Sequence, residues 1–272
     1  MQTLKVFGLM TVLTLLLVAG GGYFGGSNGA LLMFGIAAVM NFGSYWFSDR
    51  VVLRMYRARI IEPGDAPQLY RMVERLSARA GVPVPTVAIS PQQQPNAFAT
   101  GRNPQNGVVC FTEGILQALP MEELEGVTAH ELAHIKHRHM FVGTVAATMA
   151  GALAMLSRLA LFTGGRGNDR GNPVALIVMM IVAPLAAMIL QMAISRQNEF
   201  QADRTAAEIV GSPRGLAGAL SRLDGYSRRI PMDVNPAGAQ LAIVNPLAGR
   251  KGRGLMSLFS THPPMDERIR RL

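Results

Sequence analysis

The sequence predicts a mostly α-helical chain with a small β-sheet, an α+β domain carried on a polytopic helical membrane protein; three observations lead there. Hydrophobic residues make up 49% of the 272 and charged residues only 16%, with a mean hydropathy of +0.24, a balance that argues against an ordinary soluble enzyme. Four apolar stretches, residues 6–23, 29–46, 140–162 and 173–194, are each long enough to cross a bilayer. The polar remainder, residues 50–139 and 195–272, carries helical spacing and short strand-like runs and has the size of one compact domain.

The first two stretches make an N-terminal pair of transmembrane helices within residues 1–49. The first resembles a secretion signal, but its uninterrupted apolar length and the second span that follows at once favour an uncleaved anchor. Their connector, residues 24–28, holds no Lys or Arg, whereas Arg50, Arg54, Arg57 and Arg59 follow the second stretch. By the positive-inside rule this places the N-terminus and the central domain in the cytoplasm. The stretches at 140–162 and 173–194 are rich in methionine and small residues, and fit either two further crossings or a buried or re-entrant helical hairpin. Only the third contains a charge, Arg158, near its end where it can snorkel. The loop after it holds Arg166 and Arg170, partly balanced by Asp169, a mild departure from the rule.

Between the membrane stretches, Asp65 is placed to cap a helix whose Leu69, Met72, Val73 and Leu76 recur at helical spacing. Strand-like runs follow at 86–90, 97–100 and 108–111, the last two joined by the turn-rich Gly-Arg-Asn-Pro-Gln-Asn-Gly as in a hairpin. The single Cys110 lies in the last run; it rules out an intramolecular disulfide. A helix is predicted over 120–139. Pro120 suits its first turn, Glu122, Glu123 and Glu125 suit the positive end of the macrodipole, and Leu124, Val127, Leu132 and Ile135 supply the apolar spacing.

That helix carries the strongest chemical signal. Of five histidines, four lie between 130 and 139 and the fifth is His262. His130 and His134, one turn apart, can reach one metal ion from the same face, and Glu131 stands beside them as a base for an activated water. Two imidazoles and a water leave tetrahedral zinc one ligand short. Glu199, 65 residues beyond His134, is the candidate, and Asp203 follows it by one helical turn, placed to fix a ligand histidine's tautomer from outside the ligand set. For Glu199 to join the histidines, the chain must cross the membrane an even number of times between them. His137 and His139 acquire no role and are expected on a membrane-facing helix end.

Asn96-Ala97-Phe98-Ala99-Thr100-Gly101, the His-Glu-Leu-Ala-His run at 130–134, Asn198-Glu199-Phe200-Gln201-Ala202-Asp203, and Ser260-Thr261-His262-Pro263-Pro264 through Arg268 occur in that order. Together, over essentially the whole chain, they resemble the HtpX family of membrane-bound zinc metalloproteases, related to the eukaryotic prenyl-protein proteases. The resemblance implies a gluzincin-like fold with one zinc ion per chain on His130, His134 and Glu199, and Glu131 as catalytic base. It also implies that Asn96, Ala97, Phe98 and Ala99 line the substrate cleft as a strand edge, and that His262 approaches the metal to donate to the oxyanion. The expected substrates are unfolded or misfolded membrane proteins, cut at the cytoplasmic face of the bacterial inner membrane in a stress or quality-control role.

Two readings compete: a zinc-binding membrane scaffold or transporter without hydrolysis, and a protease of prenylated peptides. A transporter places its ligands inside its spans and needs no Glu131. The net charge of +9 calls for no nucleic acid, because many of the arginines flank the apolar stretches or fall in Arg250-Lys251-Gly252-Arg253, where the lipid bilayer is the simpler partner. The glycine-rich stretch there is also flexible enough to gate a cleft.

Overall fold

A computed structural model describes residues 2–149, 196–227, 241, 243 and 263–272. Helix α1, Gln2–Trp46, is one helical run broken at Gly26, whose φ of 59° and ψ of −150° a side chain would resist. Its arms, Val6–Tyr23 and Gly25–Trp46, are the two helices among the described residues with the length and apolarity to cross a membrane. They are the predicted pair, with the connector helical except at the glycine. The arms meet closely because neither Gly21 nor Gly29 has a side chain; a Cβ on Gly29 would run into the Gly21 carbonyl. Deeper in the pair, the Asn41 amide donates to Thr14 Oγ1 at 2.9 Å.

Helix α2, Ser48–Met55, leads into the α+β domain, which opens with β1, Arg59–Ile60, and α3, Pro67–Ala80. The predicted face of α3 is buried, but Asp65 does not cap it. Ala66 holds the cap position without a side-chain bond, and Asp65 Oδ2 instead accepts the Glu62 N–H at 2.9 Å. With β2, Thr86–Ser90, β3, Ala97–Thr100, and β4, Val108–Thr112, the strands form a mixed sheet in the order β1-β2-β4-β3. β4 runs parallel to β2 and antiparallel to β3, pairing Ala97 with Phe111 and Ala99 with Val109, so the predicted hairpin is present and β3 is an edge strand. Cys110 is buried and free, and burial pushes its thiol well above the ordinary range.

After α4, Glu113–Ala118, comes α5, Met121–Lys136, with Pro120 as its N-cap. The predicted helix continued to His139. It ends early because Arg138 takes a left-handed φ of 58°, and a new helix, α6, His139–Met149, starts in another direction. The remaining α-helices among the described residues are α7, Arg196–Val210, α8, Arg214–Ser227, and α9, Met265–Arg271.

Helix α5 is the centre of the domain, packed on α3, α7, α8 and β3. Its approach to α8 is close because a Cβ on Gly126 would collide with the Leu216 backbone. Leu132, Val127 and Ile135 join Phe111, Ile115 and Leu223 in the main core. A second cluster packs Val142, Val145 and Met149 of α6 against Val6, Met10 and Leu13 of the first arm of α1. The third predicted stretch thus begins as a helix against the membrane pair, while residues 150–162 and the fourth stretch lie outside the described residues.

Candidate metal centre and active site

Three elements deliver the polar groups to one buried place. Helix α5 presents His130, Glu131 and His134, α7 presents Glu199 and Asp203, and α9 presents Arg268. His130 and His134 share a face because they are one turn apart, and their rings meet edge to face with centroids 4.6 Å apart. Their Nε2 atoms lie 3.1 Å from each other, and Glu199 places Oε2 3.7 Å from His130 Nε2 and Oε1 3.5 Å from His134 Nε2. Two ligands about 2.05 Å from a tetrahedral zinc are roughly 3.3 Å apart, so these edges have the length a zinc site requires. No other group of three His, Cys, Asp or Glu among the described residues brings its donor atoms within 4.8 Å of one another.

The surroundings favour that chemistry. His130 Nδ1 lies 3.0 Å from Asp203 Oδ1, which holds the proton on Nδ1 and turns the Nε2 lone pair toward Glu199 and His134. Asp203 also receives Arg268, with Nε at 2.9 Å from Oδ2 and Nη2 at 2.7 Å from Oδ1. Burial alone would raise the Asp203 pKa, but the hydrogen bonds from His130 and Arg268 outweigh it and hold the group at about 2. Three carboxylates, Glu131, Glu199 and Asp203, face one guanidinium, and all four side chains are buried. Such a cluster carries formal excess negative charge that a divalent cation would cancel.

Glu131 projects toward β3, where its carboxylate accepts the Ala99 N–H. Burial is the chief reason its pKa rises to about 7, with Glu199 adding to the shift and His130 and the Ala99 bond opposing it. A carboxyl poised there exchanges protons readily near neutral pH. His134 is the more open of the two histidines, at 15% side-chain exposure against 1% for His130, so the centre opens on its side.

The structure thus brings together His130, Glu131, His134, Glu199, Asp203 and the edge strand carrying Asn96 to Ala99. His262 lies outside the described residues. The sequence reading gave no role to Arg268, which is fully buried and contacts Asp203 and, at 3.5 Å, Glu199. Its signal was available: with Met265, Ile269 and Leu272 it lies on the apolar stripe of a short helix, where a charge needs buried partners. His139 is not on a membrane-facing helix end, and His137 caps the C-terminal end of α5. The break at Arg138 turns His139 inward to 6% exposure, its ring centroid 5.4 Å from that of His134, while His137 Nε2 meets Thr205 Oγ1 at 3.0 Å.

Comparison with known proteins gives the family of the chain. The family model described as Peptidase family M48 matches residues 63–272. A protease HtpX homolog of Gemmatimonas aurantiaca is 56% identical over 271 residues, covering 99% of this chain and 97% of that one. Another, of Syntrophotalea carbinolica, is 53% identical over 279 residues, covering 100% of this chain and 98% of its own. Among solved structures, S. mikatae Ste24p is 18% identical, with a TM-score of 0.44 over 89% of this chain and 64% of that one. The chain belongs to peptidase family M48, as an HtpX-type metalloprotease.

Proposed function

We propose that the chain is a multi-pass membrane endopeptidase that holds one zinc ion on His130, His134 and Glu199 and hydrolyses unfolded or damaged membrane proteins on the cytoplasmic side. The observation that carries this reading is the convergence of His130, His134 and Glu199, whose donor atoms lie within 4.8 Å of one another, with a buried carboxyl, Glu131, next to them. When bound, zinc supplies a Lewis acid for the peptide carbonyl and lowers the pKa of water.

The protein's own groups supply the rest. Glu131 takes a proton from the attacking water at its carboxylate and passes it to the leaving amine nitrogen. Asp203 keeps His130 in the Nδ1–H tautomer, and Arg268 keeps Asp203 ionised and oriented. The edge strand of Ala97 to Thr100, lying against α5, aligns an extended peptide by main-chain hydrogen bonds. His262 is assigned the oxyanion donor by its place in the family pattern. Bacterial inner-membrane residence rests on the two apolar helices and the Arg50 to Arg59 cluster. The meeting of Glu199 with His130 fits an even number of crossings between them.

Cleavage of an unfolded membrane protein by the detergent-purified chain and its Glu131→Gln variant, with bound zinc quantified in both, tests this. Zinc in both with a rate loss of about 10²- to 10⁴-fold in the variant is expected. Normal proteolysis by the variant would sink the mechanism, and zinc in both with cleavage by neither would shift the weight to a scaffold.

A further inference from the structure

Three of the backbone groups that β3 turns outward are already engaged by this chain. The Thr112 N–H donates to the Asn96 carbonyl at 2.9 Å, so the even-numbered residues of the strand bond to β4 and the odd-numbered ones face the open edge. Of these, Ala97 N–H is bonded to Asn96 Oδ1 at 3.0 Å, and Ala99 N–H to the Glu131 carboxylate. The Ala97 carbonyl accepts the N–H of Ile243 at 3.1 Å, from a residue 146 positions along the chain.

Ile243 is gripped at both ends of its main chain. Its carbonyl accepts Arg268 Nη1 at 3.4 Å, and that guanidinium also touches Glu199 and Asp203. Its side chain is 2% exposed and joins the main core with Ala97 and Ala99, on one face of the sheet. Leu241 packs with Phe98, Cys110 and Tyr56 on the other face, so the two side chains straddle the strand edge. A residue whose N–H is held by an edge carbonyl and whose C=O is held by a buried cation beside the metal donors is bound as an extended peptide substrate would be.

We propose that Ile243 is an internal occupant of the substrate cleft. Its main chain and branched side chain stand where a substrate residue next to the scissile bond must lie, so Ile243 competes with substrate, and the core packing around its side chain selects a branched aliphatic residue. The proposal rests on the peptidase reading above, and names the register and side-chain class of its substrate.

The test separates the two. The Glu131→Gln chain, loaded with zinc, is titrated with a fluorescent peptide of sequence Gln-Leu-Ala-Ile-Val-Asn, that of residues 240–245, with and without Ile243→Pro. Proline removes the N–H that Ala97 accepts. We expect binding at least ten-fold tighter in the Ile243→Pro background, and at least ten-fold weaker there when the peptide's Ile is replaced by Asp. Ile243→Ala keeps the N–H and shrinks the side chain, and should tighten binding by a few fold; its melting temperature shows whether the fold survives. With Glu131 restored, both variants should lower KM. Equal or weaker peptide binding in folded variants would overturn the proposal, since a purely structural Ile243 predicts that result. Tighter binding with no turnover by any form would uphold the internal occupant and remove the peptidase reading instead.

Discussion

The membrane hairpin and the catalytic centre break the usual burial rule in opposite directions. Along α1, Leu31, Leu32, Val39 and Phe42 are all exposed, Leu31 at 72%, whereas under α5 the chain buries His130, Glu131, Glu199, Asp203 and Arg268. An apolar surface of that kind is stable where its surroundings are hydrocarbon, with backbone groups satisfied inside each helix. The centre tolerates its charges because each carboxylate has a polar contact, Asp203 with His130 and Arg268, Glu131 with Ala99, and Glu199 with the histidines and Arg268, the remaining negative charge being what a divalent cation would cancel. One region is stabilised by its surroundings and the other by its own pairing.

Breaking the pairing should have the largest effect. Arg268→Met leaves Asp203 and Glu199 buried without their guanidinium and should cost about 3–5 kcal/mol. Denaturant unfolding in detergent would read it, and a loss below about 1 kcal/mol would show that the carboxylates find other partners. Changing the surroundings of the hairpin comes next. Leu31→Arg places a charge on its exposed face at about 3 kcal/mol if that face meets lipid near the bilayer centre, and alkaline extraction of membranes should then release more of the variant. Unchanged retention would mean that protein covers the face.

A smaller effect follows from pH. Asp203 has a folded pKa of about 2 against 3.8 as the ordinary value, so its contribution is fully present above pH 4 and disappears as pH falls through 2. The shift corresponds to about 2 kcal/mol, and Asp203→Asn should flatten the stability profile in that window. Least of all, Arg222→Ala removes a solvent-exposed pair with Glu123 and should leave the unfolding midpoint close to that of the parent. A larger loss there would make a surface pair as consequential as the buried network.

The same contrast explains what could be read in advance. Helix periodicity gave the buried face of α3 and most of α5, alternation and turn residues gave β3 and β4, and apolar length gave the membrane pair. These are local signals, carried by neighbouring residues. The end of α5 was misplaced because the left-handed turn at Arg138 has no Gly or Asn to announce it, and with it the inward turn of His139 was missed. The cap at Asp65 failed because the turn beginning at Glu62 took its carboxylate.

Sequence alone determined a set of donors that share faces: a one-turn spacing fixes that His130 and His134 lie on one side of α5, and the same spacing ties Asp203 to Glu199. Tertiary structure alone decided what surrounds that set. That Arg268 on α9 meets Asp203 on α7, that Glu131 binds the Ala99 N–H, and that Ile243 lies along the β3 edge depend on packing between segments far apart in the chain, which no local period encodes. Burial then raises the energetic stakes of each contact, because in a dry interior an ionised or main-chain group without a partner costs more than the fold can spare.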